Sequence, residues 1–138
     1  MNRRLIFLSF IYESSREREV HVLRYTRGFM IGILIVTHSQ LGDALIEAAE
    51  FITDSKLESV ASVSINLNVN ADKLREKIAR ELKAVDHGSG VIILTDMFGG
   101  TPSNLSYSFL EEGRIEVISG VNLPILIKAL GIRKSTDL

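Results

Sequence analysis

The chain has 138 residues, of which 46% are hydrophobic and 24% are charged, and these are the proportions of a single globular domain. The formal net charge of −1 argues against nucleic acid or an anionic membrane surface as a partner, because both select concentrated basic surfaces. The absence of cysteine excludes disulfides, thiolate metal sites and cysteine nucleophiles, and it is compatible with a cytoplasmic location.

The first 29 residues differ in composition from the rest of the chain. They contain six arginines, no lysine and three glutamates, whereas residues 30–138 contain 10 basic and 14 acidic residues. An apolar run after Arg3 and Arg4 resembles a secretory signal, but it leads into charged residues instead of a small-residue cleavage site. Because Met30 directly precedes the first predicted strand, we predict residues 1–29 to be an extension, either disordered or the product of a mis-assigned start codon. The domain itself is predicted to be residues 30–138.

From Met30 onward, short apolar runs alternate with stretches of helical periodicity. The apolar runs predict strands at 31–36, 60–67, 91–95 and 115–118, the second of them at or near a sheet edge. Apolar stripes, an Asn70 cap and prolines at helix starts predict helices at 40–53, 71–86, 101–113 and 124–130. This alternation predicts the α/β class, with an open, mainly parallel four-stranded sheet and helices on both faces.

Two polar side chains stand at the carboxyl ends of buried strands, His38 after the first and Asp96 after the third. With the strand order 2-1-3-4, the first and third strands are neighbours and the topological switch point lies between them. The two side chains then face one crevice. A carboxylate that accepts from one imidazole nitrogen fixes the tautomer and leaves the lone pair of the other nitrogen free as a nucleophile.

The turn after Asp96 has the composition of a phosphate site. Gly99, Gly100 and Thr101 precede Pro102, so a helix is predicted to begin here with unpaired N–H groups that can hold phosphoryl oxygens. The hydroxyls of Thr101 and Ser103 are further candidate phosphate contacts. No metal or cofactor is predicted, because one histidine and one aspartate are too few for a closed zinc site and nucleotide-binding glycine motifs are missing.

Three segments together resemble the IIA domain of the mannose-type sugar phosphotransferase system: IGILIVTHSQLGDAL, VIILTDMFGGTPSN and EVISGVNLP. The resemblance covers most of residues 30–130. It implies a cytoplasmic phosphocarrier in which His38 accepts a phosphoryl group from the phosphohistidine of HPr and passes it to a IIB component. It implies that Asp96 bonds the ring nitrogen that is not phosphorylated. It also implies a homodimer that meets the membrane only indirectly, through IIC and IID components.

The sequence departs from the family pattern at two places, and it is compatible with two alternative functions. Family members usually lack an equivalent of residues 1–29 and usually continue with a further helical segment, so the mode of dimerisation stays open. The same phosphorylation could serve a regulatory module, or the chain could be the phosphoryl donor subunit of a dihydroxyacetone kinase. We predict no catalytic role for His21 or His87. Met97 and Phe98 fit either a local core or a partner-facing patch.

Overall fold

The computed structural model describes residues 29–66, 68–135 and 138, so the predictions made for residues 1–28 lie outside the described residues. Strands and helices alternate along the described chain. They are β1 (Gly32–His38), α1 (Leu41–Thr53), β2 (Val60–Ile65), α2 (Ala71–Val85), β3 (Val91–Thr95), α3 (Thr101–Tyr107), β4 (Ile115–Ser119) and α4 (Leu123–Ile132). Across the described ranges, none of these helices has the length and apolar character needed to cross a membrane.

The four strands are parallel and lie in the order β2-β1-β3-β4, which confirms the predicted topology. The two central strands carry the longest apolar runs because each is covered on both faces. The register pairs Val36 of β1 with Thr95 of β3. His38 and Asp96 therefore leave the sheet at the same edge, between two neighbouring strands.

Alternate side chains of the sheet pack into two cores, one on each face. Leu34, Val36 and Ile93 face α2 and α3, which contribute buried leucines such as Leu82 and Leu105. On the opposite face, Ile33, Ile35 and Leu94 pack with Ala49 of α1 and Leu126 of α4. Helices on both faces of the sheet are thereby confirmed.

The helix predicted over residues 101–113 ends six residues early, at Tyr107. The next three residues donate their N–H groups to carbonyls three positions back, which tightens the chain into turns. Leu110, which lies within the predicted helix, is 52% exposed. Gly113 has a φ of 72° and lies in the turn that leads into β4. It therefore belongs to that turn and does not end the helix.

The boundaries of α2 follow local chemistry. The Asn70 side chain accepts the backbone N–H of Asp72 at 2.7 Å, as its predicted capping role requires. The helix ends at Val85, one residue before the predicted end at residue 86. Gly88 has a φ of 97° in the turn between α2 and β3.

Candidate functional site

The ends of β1 and β3 bring His38 and Asp96 into direct contact. Asp96 Oδ2 lies 2.7 Å from His38 Nδ1 and accepts the backbone N–H of His38 at 2.9 Å. Its other oxygen, Oδ1, accepts the backbone N–H of Met97 at 2.9 Å. One carboxylate therefore holds both the imidazole ring and the backbone on which the ring is mounted.

The Asp96 carboxylate is kept ionised by these hydrogen bonds. Partial burial alone raises the pKa of Asp96, but the backbone and ring N–H groups of His38 and the N–H of Met97 outweigh burial and lower the pKa below its ordinary value. An ionised carboxylate only accepts, so Nδ1 of His38 carries the ring proton and Nε2 keeps its lone pair. The Asp96 side chain is 13% exposed and the His38 side chain 38%, so the carboxylate is covered while the imidazole remains accessible.

The two glycines of the turn after β3 lie beside the imidazole. Gly99 has a φ of 80°, and Gly100 is the residue at the start of α3, with extended backbone. Gly100 lies close to Cε1 and Nε2 of His38, whereas Asp96 contacts the other ring nitrogen, Nδ1. Thr101 is exposed as the first residue of the helix, and Pro102 follows it without loss of a needed N–H.

Comparison with known proteins decides the family. The model of the family described as the PTS system fructose IIA component matches residues 32–138. The chain belongs to this IIA family of the sugar phosphotransferase system. It is similar to the PTS system fructose-specific EIIA component of Bacillus subtilis, with 35% identity over 106 residues that cover 76% of this chain and 72% of the relative.

Two further proteins resemble this IIA chain. The PTS system mannose-specific EIIAB component of Escherichia coli is 35% identical over 104 residues, which cover 75% of this chain and 32% of that longer protein. The crystal structure of the phosphotransferase system component EIIA from Streptococcus agalactiae superposes with a TM-score of 0.68 at 29% identity. That superposition covers 78% of this chain and 82% of the Streptococcus chain.

Ser103 of the IIA chain is fully buried. Its hydroxyl lies 3.4 Å from that of Ser119, which in turn lies 2.8 Å from that of Thr95. These hydroxyls form a polar cluster at the carboxyl ends of β3 and β4, in which Ser119 is half-buried. The contacts of Ser103 indicate a structural role. Thr95 and Ser119 had no distinguishing signal in the sequence.

The turn after His38 is fixed by contacts that the sequence did not reveal. The hydroxyl of Thr37 accepts the N–H of Gly42 at 2.9 Å, which ties the end of β1 to the first turn of α1. The N–H of Ser39 donates to the carbonyl of Ile65 at 3.1 Å, which ties the turn to β2. Ser39 has a φ of 50°, an uncommon conformation for a residue other than glycine. Nothing in the sequence Thr-His-Ser predicts a positive φ at the serine.

Two apolar side chains in the turn after β3 are exposed. Met97 is 57% exposed and Phe98 76% exposed, so the second of their two predicted roles, a surface patch, fits the structure. The ring of Phe98 meets that of Tyr107 edge-on, with centroids 6.2 Å apart. His87 is exposed in the turn between α2 and β3, at the amino end of the sheet and far from this patch, and His21 lies outside the described residues.

Proposed function

We propose that this IIA chain carries a phosphoryl group on Nε2 of His38, which it accepts from the phosphohistidine of HPr and passes to a IIB component. The observation that carries the proposal is the contact between Asp96 Oδ2 and His38 Nδ1, which leaves Nε2 as the nucleophilic nitrogen. Membership of the IIA family supports this phosphocarrier role and favours it over that of a dihydroxyacetone kinase subunit.

In the proposed transfer, the Nε2 lone pair attacks phosphorus in line with the N–P bond of the donor. That bond breaks, its electron pair returns to the donor imidazole, and a new P–N bond forms at Nε2. The ring of His38 becomes positively charged while keeping its proton on Nδ1, and the adjacent Asp96 carboxylate offsets that charge. Transfer to the IIB acceptor reverses these changes, so His38 neither gains nor loses a proton in the cycle.

The phosphoryl oxygens need hydrogen-bond donors once the group is on His38. We assign this role to the backbone N–H groups of Gly99, Gly100 and Thr101 and to the Thr101 hydroxyl. The packing of Gly100 against the Nε2 edge supports the assignment. This part of the proposal leaves out Ser103, because its hydroxyl is buried.

The proposed partners follow from the same chemistry. HPr and the IIB component have to approach the Nε2 edge, so they would contact the apolar patch formed by Met97 and Phe98. We also propose a homodimer. In the described part of the chain β4 is an edge strand, and its Ile118 is 46% exposed, which supports an interface at that edge. A cytoplasmic location, with the membrane reached through IIC and IID components, completes the proposal.

The phosphorylated residue can be identified directly. The full chain is incubated with phosphoenolpyruvate, enzyme I and HPr, and intact mass is used to detect one added phosphoryl group that is labile to acid and stable to base. We expect His38→Ala to abolish the added mass, whereas His87→Ala and His21→Ala retain it. Persistence of the label in the His38 variant would overturn the proposed function.

A further inference from the structure

The two glycines beside His38 are glycine for different physical reasons. Gly99 has a φ of 80°, and a Cβ built on it meets no atom within 4 Å, so its backbone conformation is what excludes other residues. Gly100 has a φ of −83° and a ψ of 167°, which any residue adopts. A Cβ at Gly100, however, would lie 2.8 Å from Cε1 and 3.4 Å from Nε2 of His38. The imidazole, not the backbone, excludes a side chain at this position.

The hydrogen bond between Nδ1 and Asp96 restrains the imidazole from moving away from such a Cβ. Asp96 holds Nδ1 at 2.7 Å and the backbone N–H of His38 at 2.9 Å. A Cβ at Gly100 would also lie 3.4 Å from Cγ of Met97, which is an ordinary contact distance. The approach of 2.8 Å to Cε1 is too short, so either the ring or the turn would shift by several tenths of an ångström.

We propose that Gly100 is a positioning residue whose missing side chain keeps the Nε2 edge of His38 open and the ring in line for phosphoryl transfer. This inference rests on the proposed function of His38. It is separate from any contact between phosphate and the backbone, because alanine at residue 100 retains the backbone N–H. A loss of transfer in Gly100→Ala therefore reports the added Cβ.

The test uses a donor that needs no protein docking surface. The full chain is treated with phosphoramidate, whose P–N bond breaks with release of ammonia as phosphorus bonds to a histidine nitrogen. Site-resolved mass spectrometry follows phosphorylation of His38, with exposed His87 as the internal reference in the same molecule. We expect Gly100→Ala to slow His38 by about 10- to 100-fold, because small misplacements of reacting atoms cost this much. The rate at His87 and the melting temperature stay at wild-type values.

Gly131→Ala is the matched control. It makes the same chemical change in α4, at a position without positive φ where a Cβ meets nothing within 4 Å, so His38 should react at the wild-type rate. A second variant adds Met97→Ala to Gly100→Ala, which removes the Met97 contact of the added methyl group and gives the turn room to shift. This double variant should recover part of the lost rate, which a general loss of folding would not allow.

The outcomes distinguish the role of Gly100 from the proposed phosphocarrier function of His38. Equal His38 rates in wild type and Gly100→Ala would overturn the role of Gly100 and leave the phosphocarrier intact. If wild-type His38 accepts no phosphoryl group, the proposed function fails. The steric inference is then judged by carbethoxylation of Nε2 with diethylpyrocarbonate, for which the same slowing in Gly100→Ala is expected. A melting temperature that falls in Gly100→Ala without recovery in the double variant would also contradict the inference.

Discussion

Two aspartates at opposite ends of the sheet accept hydrogen bonds from the backbone of neighbouring turns. At the carboxyl end, Asp96 accepts the N–H groups of His38 and Met97, both at 2.9 Å. At the amino end, Asp86 accepts the N–H groups of Gly88 and Gly90 at 2.8 and 3.3 Å. As turn-stabilising carboxylates the two are alike, so these backbone contacts alone do not mark a functional site.

The two aspartates differ in the side chain that each one contacts. Asp86 Oδ2 accepts from the guanidinium of Arg114 at 3.3 Å, and a guanidinium has donors only. Asp96 instead holds an imidazole by one nitrogen, which leaves a nucleophilic lone pair on the other. Under the proposed function, Asp96 is part of a reactive site because of the imidazole that it orients, whereas Asp86 only stabilises a turn and an ion pair.

The largest expected effect is that of Asp96→Asn on phosphoryl transfer. Asparagine can present an N–H to Nδ1 of His38, which favours the tautomer with the proton on Nε2 and removes the attacking lone pair. We expect transfer from phospho-HPr to slow by about 100-fold or more with the fold intact. The measurement is the rate of mass gain with phosphoenolpyruvate, enzyme I and HPr, and circular dichroism monitors folding.

Asp86→Asn is the matched control for this prediction. Its Oδ1 can still accept the two glycine N–H groups, and what is lost is the ion pair and hydrogen bond between Oδ2 and the largely exposed Arg114. Stability should fall by at most about 1 kcal/mol, and phosphorylation should proceed at the wild-type rate. Equal transfer rates for Asp96→Asn and Asp86→Asn would show that Asp96 has no part in the mechanism and that the two aspartates do not differ in function.

Acid unfolding tests whether the hydrogen bonds to Asp96 stabilise its ionised form. The pKa of the Asp96 carboxyl is lowered in the folded chain, so the ionised carboxylate stabilises the folded state. This contribution is complete above the unfolded pKa of about 3.9 and is lost as the pH falls through the folded pKa. The advantage of wild type over Asp96→Asn in free energy of unfolding should therefore shrink below about pH 4. Urea unfolding of both proteins from pH 7 to pH 3 measures it. A gap that stays constant over this range would contradict the inferred ionisation.

Much of the fold was predictable because its signals are local. The apolar runs at 31–36 and 91–95 lie on the two central strands, and their positions fixed which polar residues end up between neighbouring strand ends. The end of α3 was not predictable from its apolar pattern. Leu110 fits a helical stripe, but an antiparallel bridge between Glu111 and Ile115 turns the chain back toward β4 before the helix can continue.

The sequence predicted the pairing of His38 with Asp96 but not how the residues around the pair pack. His38 and Asp96 follow from strand order, since neighbouring parallel strands end at the same edge. The burial of Ser103 against Ser119 depends on how a helix lies over two strand ends, which no spacing encodes. The distance between Gly100 and the imidazole likewise depends on a side-chain rotamer set by Asp96, 58 residues from His38 in sequence.

The smallest effect is expected at the amino end, from removal of residues 1–29. The start of the domain is held by the domain itself: the N–H of Met30 donates to Ser89 Oγ at 3.3 Å, and that of Ile31 donates to the carbonyl of Arg133 at 3.1 Å. A chain that begins at Met30 should therefore keep the wild-type melting temperature and phosphorylation rate, measured by calorimetry and mass gain. A melting temperature lowered by several degrees with normal phosphorylation would show that the segment packs on the amino end. Loss of phosphorylation would show that the segment acts at the carboxyl end of the sheet, where His38 lies.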